Sequence, residues 1–141
     1  MRPALAFLIL LPFPLAAQEK KPDARVDAEA LKGIWEIVST THDGKDVPAK
    51  GRTLVFSGNA FTAYTGDRPE RTIAFTLDAT TDPKRIDLDR GGKDGKAYGI
   101  YLLDKDELRL CYGEPGAERP RAFESNAGRK VFLVLLKRAK G

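Results

Sequence analysis

Gly33-Ile34-Trp35-Glu36-Ile37, early in the chain, and Val131-Phe132-Leu133-Val134-Leu135-Leu136-Lys137-Arg138, near its end, decide the fold. Trp35 is the single tryptophan, and Arg138 closes the last apolar run. A guanidinium on a neighbouring strand lies flat across an indole face, a contact worth about 0.5–2 kcal/mol depending on desolvation. Contact between the first strand and the last is what closes a β-sheet into a barrel. The two stretches therefore predict a closed sheet whose seam is held by Trp35 and Arg138.

Between them, short runs rich in β-branched and aromatic residues recur at 35–41, 53–56, 61–65, 72–77, 85–88, 97–103, 107–112 and 130–136. The connectors Asp43-Gly44, Gly58-Asn59, Gly66-Asp67, Gly91-Gly92 and Asp104-Lys105-Asp106 carry residues that accept positive φ or bond their own backbone. About eight antiparallel strands joined by hairpins, with no long helical pattern, predict an all-β up-and-down barrel or a sandwich. Alternation selects the inner face. Leu54 and Phe56, Ile73, Phe75 and Leu77, Ile86 and Leu88, and Leu108, Leu110 and Tyr112 each share a parity, whereas Thr76, Asp87 and Arg109 oppose them. Residues 131–136 are apolar on both parities, as in a strand covered on both faces. Gly99 invites a bend that turns Tyr101 and Leu103 inward.

Two segments depart from this rhythm. Asp27-Ala28-Glu29-Ala30-Leu31-Lys32 reads as a short helical turn, with Asp27 as N-cap and Gly33 as terminator. The connector 113–129, punctuated by Gly113, Pro115, Gly116, Pro120, Asn126 and Gly128, is long for a compact domain. Such loops are often lids or binding loops. The other expectation is that Arg121-Ala122-Phe123 forms a short edge strand, or that Phe123 packs as a plug.

The first residues have the three-part pattern of a secretory signal peptide. Arg2 supplies the positive start, 4–11 the apolar run, and Leu15-Ala16-Ala17 the small-residue cleavage site. The apolar run is too short, and too interrupted by Pro12 and Pro14, for a membrane span of about 20 residues. The expected organisation is a signal peptide at 1–17, a flexible leader at 18–27 and a barrel domain at 28–141. The protein is expected to be exported, to the periplasm or beyond, and to be a monomer.

Twenty-four basic and 20 acidic residues interleave along the chain, as in Lys84-Arg85-Ile86-Asp87. A nucleic-acid partner would require cations gathered on one face with stacking aromatics, so none is expected. Cys111 is the one cysteine, which excludes an intramolecular disulfide and leaves stability to apolar packing. Its setting in Leu108-Arg109-Leu110-Cys111-Tyr112 predicts a buried thiol.

Candidate chemistry is sparse. Asp87-x-Asp89-x-Gly91-Gly92 resembles the start of a calcium loop, but Gly91 and Tyr98 stand where the fifth and twelfth ligand positions fall. A hairpin turn is the better reading. His42 and Cys111 form the one thiol–imidazole combination, and catalysis would need them within hydrogen-bond reach. One histidine argues against a zinc site, so no metal and no cofactor are expected. Arg119 and Arg121 either face an anion at a barrel mouth or pair with Glu118 and Glu124 on the surface.

An ordered series of motifs spans nearly all of the chain after residue 30. It comprises Leu31-Lys32-Gly33-x-Trp35, Asp43-Gly44-Lys45, Asp82-Pro83-Lys84-x-Ile86-Asp87-Leu88, Gly99-Ile100-Tyr101, Leu108-x-Leu110-Cys111-Tyr112, Arg119-Pro120-x-x-Phe123 and Lys137-Arg138. The series resembles a secreted lipocalin-like domain family abundant in planctomycete bacteria. The resemblance implies a lipocalin-type barrel whose Gly-x-Trp opening packs near the closed end against a terminal arginine. It implies no assigned ligand or reaction.

The expected function is non-enzymatic: a barrel that binds a small apolar or amphipathic molecule. Phe56, Phe75, Tyr101, Leu110, Tyr112 and Phe123 are the candidate lining residues, with Trp35 and Arg138 closing the base. The alternative is a filled barrel whose surface engages a protein or envelope polymer. A container requires an internal space above about 300 Å3 reachable from one end.

Overall fold

The computed structural model describes residues 23–93 and 95–140. The expected signal peptide and residues 18–22 of the leader lie outside the described residues. The described residues form one short helix, α1 (Ala24–Leu31), and then nine strands. These are β1 (Gly33–His42), β2 (Lys45–Val47), β3 (Arg52–Ser57), β4 (Ala60–Thr65), β5 (Arg68–Asp78), β6 (Lys84–Asp89), β7 (Lys96–Asp104), β8 (Glu107–Gly113) and β9 (Val131–Arg138). Consecutive strands from β3 to β9 pair antiparallel, and β1 closes the ring by pairing with both β3 and β9. The result is an eight-stranded antiparallel barrel, with β2 as a short hairpin extension of β1.

All eight expected strands are present; β2 is the addition. Its hairpin turns on Asp43 and Gly44, whose φ angles of 55° and 76° are those of a two-residue turn with both central residues left-handed. Three residues on the far side are too few to give an alternation signal in the sequence.

The helix begins earlier than expected. Asp23, not Asp27, is the N-cap, its carboxylate accepting from the Arg25 amide at 2.8 Å. Residues 24–27 of the expected leader are therefore helical. Asp27 is instead turned toward the barrel, where its carboxylate accepts from the Tyr101 hydroxyl at 2.6 Å and pairs with Lys84 Nζ at 2.9 Å. Leu31, at the helix end, is buried beneath the sheet.

The base of the barrel is built around Trp35, which is 0% exposed. Its indole N–H donates to the Leu31 carbonyl at 2.9 Å, which satisfies the one polar atom of the ring. Arg138 stands directly opposite on β9, its guanidinium carbon 4.3 Å from the indole centroid. The same guanidinium donates to the carbonyls of Ala30 at 2.8 Å and Lys32 at 3.1 Å, and to Asp106 at 3.1 Å. The carbonyls left unpaired at the helix end thus receive a cation, the charge that a helix C-terminus favours. One side chain joins β9, β1, α1 and the β7–β8 turn.

Above this base the inner rows of the strands interdigitate. Phe56, Phe61 and Phe75 pack ring to ring, with centroids 4.9–6.2 Å apart, beside Ile86, Tyr101, Leu108 and Leu136. On β1 the register with β9 shifts between Ile37 and Ser39. The extra residue, Val38, bulges outward and is 57% exposed, so Thr40 and His42 follow Trp35 and Ile37 on the inner side.

Trp35→Ala removes a fully buried indole and is expected to cost about 3–5 kcal/mol in urea unfolding. Arg138→Lys keeps the charge but not the planar fork, so a loss of about 2 kcal/mol is expected. Burial, reinforced by the bond to Asp27, holds the Tyr101 hydroxyl well above its ordinary pKa. The stability tied to that proton is complete below about pH 10, where the unfolded tyrosine titrates, and is lost as pH rises beyond it. Unfolding free energy should therefore fall above about pH 10, and Tyr101→Phe should flatten the fall.

Candidate functional site

The inner rows change character from base to mouth. On β3 the row reads Phe56, Leu54, Arg52; on β5 it reads Phe75, Ile73, Arg71; on β6 and beyond it reads Ile86, Leu88, Arg90. On β8 it ends at Tyr112 and Glu114, and on β1 at Thr40 and His42. Side chains fill the lower half, but the upper half narrows to Ala63 on β4 and Ala97 on β7, which leaves space. A cavity of about 430 Å3 results. Its apolar wall includes Ile37, Leu54, Phe61, Ile73, Leu110 and Val134; Arg52, Glu70, Arg71, Arg90 and Glu114 stand at the rim.

Of the expected lining residues, Leu110 and Tyr112 are in the wall. Burial pushes the Tyr112 phenol up to about 12, so its hydroxyl stays protonated at neutral pH. Phe56, Phe75 and Tyr101 share the inward parity but lie beneath the cavity and fill the core, which corrects their assignment as lining. The difference is depth along the strand, on which a two-residue alternation is silent. Phe123 is also corrected: it packs outside the sheet against a satellite cluster of Ile100, Cys111, Val131 and Leu133.

That satellite cluster is made by the connector 114–130, which contains no strand and runs as a strap over the outer faces of β7, β8 and β9. It explains why β9 is apolar on both parities: Phe132, Val134 and Leu136 face the core, and Val131 and Leu133 face the strap. Ser125 Oγ accepts from the Gly44 amide and donates to the Val131 carbonyl, while the Gly128 amide donates to Asp43 at 2.6 Å. A Cβ on Gly44 would come within 2.6 Å of the Ala127 nitrogen, so this crossing requires glycine. Only the first residues of the connector, Glu114 and Pro115, reach the mouth.

Arg119 does neither of the things expected of it. It is a clamp on the strap, donating to the Gly99 carbonyl at 2.8 Å, pairing with Asp87 at 2.7 Å and lying over the Tyr98 ring at 5.2 Å. Asp87 is thereby occupied, and Asp89 accepts from the Gly91 amide in the hairpin turn. Among the described residues no group of three or more His, Cys, Asp or Glu side chains is placed to hold a metal ion.

His42 and Cys111 are on opposite faces of the sheet. His42 stacks on Phe132 with centroids 4.0 Å apart and lies 2.6 Å from Glu114; Phe132 stacks in turn on Tyr112 at 5.2 Å. Cys111 is fully buried under the strap, facing the carbonyls of Ala122 at 3.4 Å and Glu124 at 3.6 Å. Burial raises its thiol pKa. The arrangement at the mouth, an aromatic and aliphatic well below a ring of charges, suits the binding of a molecule with one apolar and one polar end.

Comparison with protein-family models, curated proteins and solved structures finds no match to this chain. A barrel fold by itself assigns no activity. The functional reading therefore rests on the cavity and its rim.

The strap makes the thiol a reporter. Native protein at pH 8 is expected to leave Cys111 unlabelled by a disulfide reagent, with one equivalent reacting in urea. Arg119→Ala should speed labelling of the native protein by loosening the strap, without changing the urea endpoint.

Proposed function

We propose that the protein is a secreted, non-enzymatic container that holds one small apolar or amphipathic molecule in the upper half of its barrel. The observation that carries this reading is the 430 Å3 cavity, within the range of small-molecule sites and walled mainly by apolar side chains. Its polar groups are gathered at one end, where they would orient a ligand rather than surround it. The sequence pattern of 1–17 supports export, and the resemblance to a secreted lipocalin-like family points the same way. A filled barrel acting through its surface accounts for the packed base but leaves the space above it unused.

N-Phenyl-1-naphthylamine, a neutral probe that fluoresces in apolar surroundings, should bind with a 1:1 stoichiometry. Ala63 lies in the cavity wall, so Ala63→Trp should fill the space and abolish the signal while circular dichroism stays unchanged. Phe123→Ala, outside the barrel, should leave probe binding unaltered. No probe binding by the wild-type chain, or binding that survives Ala63→Trp, would overturn the container reading.

A further inference from the structure

The charges at the rim are not balanced, and the imbalance has a location. Arg52 pairs with Glu70 at 3.5 Å, and Glu114 pairs with His42 at 2.6 Å. Arg71 and Arg90 line the same cavity, and among the described residues neither makes an ion pair. Both continue inward-facing rows, Arg71 two residues before Ile73 on β5 and Arg90 two residues after Leu88 at the end of β6. The register Ala74↔Asp89 sets Arg90 across from Ile73, which makes Arg71 and Arg90 diagonal neighbours on one face.

Both side chains are exposed at this end of the barrel and line the same cavity, so an anion there would meet two cations on one face. Arg71 and Arg90 also border a shallower depression with Gly91, Lys93 and Pro115, so the cationic corner is reachable from solvent as well as from the cavity. The turn is held at its neck by the Arg90 amide, which donates to the Gly95 carbonyl at 2.8 Å. The carboxylate of Asp89, the nearest acid in sequence, accepts from the Gly91 amide.

We infer that the ligand is an anionic single-chain amphiphile, its hydrocarbon chain in the apolar well and its acidic head between Arg71 and Arg90. This rests on the container reading and narrows it from amphipathic to anionic. Guanidinium groups suit the role because their planar fork takes both oxygens of a carboxylate, a charge-assisted pair stronger than a neutral hydrogen bond. Among the described residues the carboxylates that line the cavity, Glu114 and Glu70, are both paired, so neither is left to attract a cationic head.

Displacement of bound N-phenyl-1-naphthylamine at pH 8 and low salt by dodecanoate, dodecanol and dodecyltrimethylammonium, all below micellar concentration, tests this. Dodecanoate should displace the probe about tenfold more tightly than dodecanol, with the advantage shrinking in high salt. The cation should be the weakest. In the Arg71→Gln/Arg90→Gln variant dodecanoate should fall to the level of dodecanol, each displacement being referred to that variant's own affinity for the probe. Arg129→Gln, an exposed cation of the strap, should keep the wild-type preference. Equal displacement by dodecanoate and dodecanol in the wild-type protein overturns the anionic head and leaves the container standing. A preference lost equally in Arg129→Gln overturns it too, since net charge would then suffice. Failure of the wild-type protein to bind the probe at all sinks the container and the head together.

Discussion

The guanidinium of Arg138 on the indole of Trp35 is the contact on which the rest of the structure depends. The pair sits at the seam where the last strand, β9, meets the first, β1. The cation is also drawn to the carbonyls at the end of α1 and to Asp106. Closing the sheet and closing its lower end are therefore one event. The desolvated indole face, the helix end and the acid each favour the same charge in the same place.

A base fixed in this way leaves the opposite end to differ. Moving up the barrel, the aromatic and branched side chains of the lower rows give way to alanine on β4 and β7, and the rows of β1, β3, β5 and β6 run out into histidine or arginine. The bulge at Val38 contributes by resetting the parity of β1, which brings Thr40 and His42 rather than Ser39 and Thr41 to the inside. The long connector lies on the outer wall and not over the mouth. There it buries Cys111 and Val131 and is clamped by Arg119 to the carbonyl of Gly99. A Cβ at residue 99 would come within 2.6 Å of the Cys111 carbonyl, so the close approach of β7 to β8 beneath this clamp depends on glycine.

Legibility in the sequence followed the range of the interaction. Strands such as Ile73-Ala74-Phe75-Thr76-Leu77 announce themselves because alternation is a property of neighbouring residues. Leu110 and Tyr112 were legible as inward for the same reason. Phe56, Phe75 and Tyr101 carry the identical signal yet lie below the cavity, because height along the barrel depends on register with several other strands. Phe123 failed differently: an aromatic residue in a loop can be buried on either side of a sheet. Arg71 and Arg90 gave no signal in the sequence, since among many interleaved charges only the barrel shows that both line the cavity and, among the described residues, make no ion pair.

By itself the sequence determined the eight barrel strands, their hairpin turns, the inward parity of most rows and the partnership of Trp35 with Arg138, all of which follow from local periodicity or from unique residues. Tertiary structure alone decided the early start of α1, the outward strap, the depth of each inward side chain and the shape of the cavity. The physical reason is that volume and charge balance are properties of the closed ring. They emerge only when eight rows, each locally unremarkable, are brought to a common axis.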